Sequence, residues 1–143
     1  MPSDFALKTL NTVHRTLLRV SGGRIGRQAI GMPVLELVTT GRRSGRSRAV
    51  MLTSPMRDGE AYVVVASRGG DDQHPAWFLN LRDEPRVQVA VGGGARQPML
   101  ASIATPDQRA RLWPQITARH QNYANYQKRT RREIPLVLLG PVG

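Results

Sequence analysis

Three short stretches carry residue types that could do chemistry. In Gly41-Arg42-Arg43-Ser44-Gly45, two guanidiniums and a hydroxyl stand between glycines. With the backbone amides, such a loop can hold an anion, because arginine makes planar, paired contacts to phosphate and carboxylate. The same composition also suits a solvated turn. In Ser67-Arg68-Gly69-Gly70 the glycines let a ligand approach the backbone, and Pro75 soon afterwards offers a helix start whose N-terminus favours anions. A plain turn would look no different. His120, Tyr123 and Tyr126 recur every three residues, so a helix would line them on one face, although tyrosines taken singly are more often packing residues. In conjunction the three stretches suit a pocket for a large, anionic, ring-containing cofactor, and composition reaches no further.

Other chemistries are disfavoured. The chain has no cysteine, hence no thiolate nucleophile, zinc ribbon or disulfide framework. His14, His74 and His120 lie far apart and form no metal-ligand spacing. The Gly41–Ser47 loop is not a Walker motif, since only three residues separate its glycines and Arg46 stands where lysine is required. There is no Gly-x-Ser-x-Gly elbow, and the carboxylates are dispersed.

The elements that must position these stretches follow from hydrophobic periodicity. Leu7, Leu10, Val13, Leu17 and Leu18 mark a basic amphipathic helix over residues 4–20, followed by a Gly/Arg-rich connector from Gly22 to Met32. Residues 34–40 read as a strand, with Arg46 to Ser54 returning beside it. Asp58-Gly59 then turns the chain into the apolar strand 61–66, so that the three strands make an antiparallel meander. A short helix runs from Pro75 through Leu81, and Val87–Val91 pairs with Met99–Ile103 across Gly92-Gly93-Gly94. Thr105 caps a helix with Pro106 at its first position, Pro114 forces a kink or restart, residues 123–129 form a further helical turn, and Ile134–Leu139 is the last strand. This pattern predicts an α+β fold: a six-stranded antiparallel β-barrel with peripheral helices. Its organisation is an N-terminal helix and connector over residues 1–32 and a barrel over 33–143.

Charge adds a second constraint. The chain has 143 residues, 21 Lys+Arg against 10 Asp+Glu, and a net charge of +11. Nine of the cations precede residue 49, against only Asp4 and Glu36, whereas residues 49–127 are nearly neutral. Such a balance suggests nucleic acid or an anionic surface first, but an aromatic content of 5% offers few stacking platforms for bases. Nucleic acid is therefore the weaker reading. The N-terminal helix is expected to pack on the core, with attachment to an anionic membrane surface as its second role. No apolar run reaches the length of a membrane span, which points to a cytoplasmic protein, peripheral to the inner membrane face if that helix docks there. The Lys128–Arg132 run has no account at this level.

Five ordered strings carry a resemblance: Thr39-Thr40-Gly41-Arg42-Arg43-Ser44-Gly45, Val65-Ala66-Ser67-Arg68-Gly69-Gly70, His74-Pro75-Ala76-Trp77-Phe78-Leu79-Asn80-Leu81, Tyr123-x-x-Tyr126 and Arg132-Glu133-Ile134-Pro135. In order and spacing they resemble the deazaflavin-dependent nitroreductase family, over about residues 33–139. The resemblance implies a split β-barrel of the FMN-binding type. Its coenzyme would be F-420, an 8-hydroxy-5-deazaflavin with a phosphodiester and a polyglutamate tail, with FMN as the alternative. By matching position, Arg42, Arg43, Ser44, Gly45, Arg46 and Ser47 would hold phosphate and glutamates. Val65, Ala66, Ser67, Arg68, Gly69 and Gly70 would line the ring and ribityl chain, and Trp77, Phe78, Asn80 and Leu81 would shape the slot.

The activity implied is hydride transfer from the reduced deazaflavin to a small electrophilic acceptor such as a quinone, enone or nitro compound. Tyr123 would donate a proton to the acceptor or polarise it, with Ser67 second and Tyr126 beside them. Family barrels often pair as homodimers. The alternatives are an FMN-binding or deazaflavin-carrier barrel without this activity, and a small basic nucleic-acid-binding barrel. The sequence departs from the family pattern along Ala49-Val50-Met51-Leu52-Thr53, where a proline and an aromatic are usual, and at His120 and Glu84.

Overall fold

The computed structural model describes residues 28–29 and 32–142. The N-terminal helix expected over residues 4–20 lies outside them. Eight strands and three helices follow in the order β1 (Gln28–Ala29), β2 (Met32–Thr40), β3 (Ser47–Thr53), β4 (Met56–Asp58), β5 (Ala61–Val65), α1 (Ala76–Asp83), β6 (Arg86–Val91), β7 (Gln97–Ile103), α2 (Pro106–Arg119), α3 (Gln121–Lys128) and β8 (Leu136–Pro141). A single 3-10 turn, Arg68–Gly70, lies between β5 and α1.

All pairings are antiparallel, along the path β3-β2-β6-β7-β8-β5-β4, with β1 beside the start of β2. The predicted count of six strands becomes eight because Gln28–Ala29, expected in a connector, pairs with Met32 and Pro33, and because Met56–Asp58, past the strand expected to end at Ser54, forms a strand of its own beside β5. The predicted meander is also corrected. β3 pairs only with β2, while β5 pairs with β4 and β8.

The break between β3 and β4 falls at Ser54-Pro55, where the chain leaves β2 and joins β5. Ser54 is 1% exposed; its N–H donates to the Pro33 carbonyl (3.0 Å) and its hydroxyl contacts the carbonyls of Val63 (2.8 Å) and Met56 (3.0 Å). One residue thus ties the two ends of the sheet path together, and the sheet curls into a split barrel. Ser54→Ala would strip a buried carbonyl of its donor and is expected to destabilise the protein by about 1–3 kcal/mol. Urea unfolding would show this as a lower midpoint with an unchanged slope.

Strand alternation gives the sheet two apolar faces. Leu35, Leu37, Val64, Val89, Val137 and Leu139 point to the interior, where Trp77, Phe78 and Leu81 of α1 close it. Val63, Val65, Leu136 and Leu138 point the other way and are covered by Leu112 and Ile116 of α2 and Tyr123 of α3. Helix α2 starts as expected, with a reciprocal cap between Thr105 and Gln108 and Pro106 in the first turn. It runs through Pro114 without restarting. Leu112 and Ile116, fully buried on either side, hold it in register despite the lost backbone bond.

Candidate functional site

Between the β2–β3 hairpin and α1 lies an open groove of ≈ 940 Å³. The hairpin tip is closed by bonds from the Gly41 N–H to the Arg46 carbonyl (2.8 Å) and from the Gly45 N–H to the Gly41 carbonyl (2.8 Å). The Ser44 hydroxyl accepts from the Arg46 N–H (3.2 Å). A Cβ on Gly41 would stand 2.8 Å from Ser44 Oγ and 3.2 Å from the Arg46 carbonyl oxygen, so a side chain there would have to displace the serine. Helix α1 fixes the tip from the other side. Asn80, 5% exposed, accepts from the Arg42 N–H (3.1 Å) and guanidinium (3.5 Å) and donates to Thr39 Oγ1 (3.1 Å).

The electrostatics of the groove are one-sided. Arg42, Arg43, Arg48 and Arg96 line it, and no carboxylate of the described residues does. Arg96 is paired with Glu36 at 2.8 Å. Arg42, Arg43, Arg46 and Arg48 make no ion pair among the described residues. Trp77, from α1, supplies an apolar wall.

The Ser67–Gly70 turn is held separately. Arg68 and Gly69 adopt left-handed backbone (φ 46° and 65°) after a right-handed Ser67. Gly70 (φ 84°) packs so closely on α3 that a Cβ there would stand 2.7 Å from the Tyr126 carbonyl oxygen. Arg68 pairs with Asp71 at 3.3 Å. Ser67 is 9% exposed, and its hydroxyl and N–H make no hydrogen bond among the described residues. A buried donor without a partner is uncommon in a protein left to itself.

Tyr123 and Tyr126 stack edge-to-face at 6.1 Å, and His120 meets Tyr123 at 6.2 Å, so the three-residue spacing does make one face of α3. Tyr123 is buried, with its hydroxyl 3.3 Å from Thr53 Oγ1 and 3.6 Å from Met32 Sδ. Burial pushes its phenol above the ordinary tyrosine value, the Thr53 hydrogen bond opposing.

The residues singled out in the sequence therefore fall in two places. Arg42, Arg43, Ser44, Ser47, Trp77 and Asn80 line the groove, with Gly45 and Arg46 in the same hairpin. Ser67, Arg68, Gly69 and Gly70 form the turn against Tyr126, with Tyr123 next to it. Ala66, Phe78 and Leu81 are buried in the barrel interior and Val65 on the opposite face. His74, whose ring meets Phe78 at 4.7 Å, lies on the segment joining the turn to α1.

Arg48 escaped the sequence reading, although it stands two residues after Arg46 at the start of β3. Arg132 escaped it too. Its guanidinium holds the main chain of the turn, and the string Arg132-Glu133-Ile134-Pro135 was the available signal.

Comparison with known proteins places the chain. Residues 10–141 match the family model for F420H(2)-dependent quinone reductase. The F420H(2)-dependent quinone reductase Rv1261c of Mycobacterium tuberculosis is 41% identical over 133 residues, covering 89% of this chain and 87% of that protein. A solved F420-H2-dependent reductase, FDR-A, superposes with a TM-score of 0.64 at 34% identity, over 75% of this chain and 93% of its own. A second solved structure, described as a domain-swapped dimer, gives 0.67 at 30% identity over 92% of this chain and 98% of its own. With its split barrel and basic groove, the chain belongs to the F420H(2)-dependent quinone reductase family.

Proposed function

We propose that the groove between the β2–β3 hairpin and α1 binds the phosphodiester and glutamate tail of coenzyme F-420, that the Ser67–Gly70 turn borders the deazaflavin ring, and that the acceptor is a quinone. The observation that carries this is the set of guanidiniums of Arg42, Arg43 and Arg48, which have no ion pair among the described residues, on a groove that no carboxylate of the described residues lines. A polyanionic tail needs several fixed cations without internal competition, and the residues fit it. The buried, unpartnered hydroxyl and N–H of Ser67 fit a ring bearing hydrogen-bonding atoms. When bound, the reduced coenzyme supplies a hydride from its deazaflavin C5. The protein's own residues orient and protect. Asn80 sets the Arg42 backbone, Trp77 walls the groove beside it, and the protonated Tyr123 phenol donates or polarises at the acceptor oxygen.

The salt dependence of binding tests the groove. Exposed charges are screened within about 8 Å at physiological ionic strength. In fluorescence titrations the affinity for the tailed coenzyme is expected to fall steadily with added salt, while a tail-less deazaflavin is unaffected. Equal salt sensitivity of the two ligands, or none, would place the tail elsewhere.

Asn80→Ala is expected to weaken the tailed coenzyme about tenfold, the cost of one buried hydrogen-bonding group. Since Asn80 acts through Arg42, its effect in a double-mutant cycle with Arg42→Ala should be less than additive. Full additivity would mean that Asn80 does not act through Arg42.

A further inference from the structure

Arg132 turns inward from the end of the basic run, and its guanidinium is directed mostly at one stretch of main chain. Nε donates to the Asp71 carbonyl (2.8 Å), and the two terminal nitrogens donate to the carbonyls of Ser67 (2.8 Å) and Ala66 (3.2 Å). The Ala66 donor also meets His74 Nδ1 at 3.1 Å. A guanidinium only donates, so His74 accepts there and carries its proton on Nε2. Thus one side chain gathers four acceptors spread over residues 66–74.

In a trans peptide the C=O and N–H point in opposite directions. Drawing the Ala66 carbonyl toward Arg132 therefore turns the Ser67 N–H away from it. The Arg68 carbonyl accepts from the Asp71 N–H (3.2 Å), which turns the Gly69 N–H away in the same manner. Neither the Ser67 nor the Gly69 N–H finds an acceptor among the described residues, and the Ser67 hydroxyl is equally unpartnered. A right-handed residue followed by left-handed ones, as at Ser67, Arg68 and Gly69, is the backbone form that makes successive amides converge on an electron-rich atom.

We propose that Arg132 is a positioning residue for the cofactor turn: by holding the carbonyls of Ala66, Ser67 and Asp71 it presents the amides of Ser67 and Gly69, with the Ser67 hydroxyl, to an electron-rich oxygen on the edge of the bound deazaflavin ring. This rests on the assignment of the turn to the ring made above. It also gives the basic run a structural use, since Arg129 donates to the Gly69 carbonyl (3.3 Å) from the same side. A lysine at position 132 could reach one or two of these acceptors from a single point but could not span all of them.

The test compares wild type, Arg132→Met and Arg132→Lys. Each is titrated with the tailed coenzyme and with the tail-less 8-hydroxy-5-deazaflavin carrying only its ribityl chain. Amide exchange is followed in the ligand-free proteins. Arg132→Met is expected to weaken both ligands by about tenfold or more and to leave the ratio of their affinities unchanged, whereas loss of groove arginines alters that ratio. Arg132→Lys should recover part of the loss. The Gly70 and Asp71 amides, bonded within the turn, should exchange faster in Arg132→Met while those of β5 stay protected. Tail-less affinity at the wild-type level in folded Arg132→Met, or unchanged exchange at Gly70 and Asp71, overturns the inference. If Arg132→Met does not fold, the same comparisons on Arg132→Lys decide it. Failure of the wild type to bind the tail-less ligand overturns the underlying ring assignment, a result separable from the exchange readout.

Discussion

Replacing Arg42 and Arg43 together by glutamate is expected to weaken binding of the tailed coenzyme by about 100-fold, and of a tail-less deazaflavin by no more than about twofold. A hydrogen bond to a charged group contributes about 1.5–3 kcal/mol when desolvated, and an exposed ion pair less than about 1 kcal/mol. Arg42 and Arg43 are exposed, so the lower part of that range applies, but reversal adds repulsion to lost attraction. Two such changes sum to about 3 kcal/mol, or 100-fold. The fold should tolerate them. Arg43 has no ion pair to lose among the described residues, and Asn80 keeps the Arg42 backbone whatever the side chain. Fluorescence titration with both ligands decides the matter, since equal weakening of the two would remove the hairpin from tail recognition.

Tyr123→Phe is expected to lower the single-turnover rate of quinone reduction by about 100-fold while leaving coenzyme affinity nearly intact, the scale of a lost general acid. The phenol is placed by two contacts, Thr53 Oγ1 and Met32 Sδ, and by the edges of the His120 and Tyr126 rings. Burial raises its pKa, so the phenol stays protonated throughout the neutral range. The change removes one neutral hydrogen bond and should cost about 1 kcal/mol of stability, far from unfolding the protein. Thr53→Val, which frees the phenol without removing it, should have a much smaller effect on the rate. An unchanged rate in Tyr123→Phe would make Tyr123 a packing residue of the face beneath α2 and α3.

The parts of the fold legible in the sequence are those fixed by local chemistry. The β6–β7 hairpin follows from alternating residues around three glycines, and the start of α2 from Thr105-Pro106. The Ser54-Pro55 corner was not legible, because whether a strand continues or changes partner depends on carbonyls at Pro33 and Val63 that bear no mark in the sequence. The restart offered as one outcome at Pro114 does not occur for a related reason, since buried neighbours outweigh a local rule.

The candidate site shows the same division. The Arg42-Arg43 tip and the Tyr123–Tyr126 face could be read from residue type and spacing. Arg132 could not, because every carbonyl it holds is about 60 residues distant in the chain. Nor did spacing reveal that the Tyr123 hydroxyl meets Thr53 rather than opening into the groove.

The central claim is that this barrel passes a hydride from the reduced deazaflavin coenzyme to a quinone. The most direct measurement is anaerobic: the protein is mixed with a quinone and either reduced coenzyme F-420 or reduced FMN, and oxidation of each is followed by absorbance. The account predicts oxidation of the deazaflavin at a rate proportional to protein and dependent on the quinone, with reduced FMN consumed no faster than without protein. Protein-dependent consumption of reduced FMN, with the deazaflavin untouched, would contradict it.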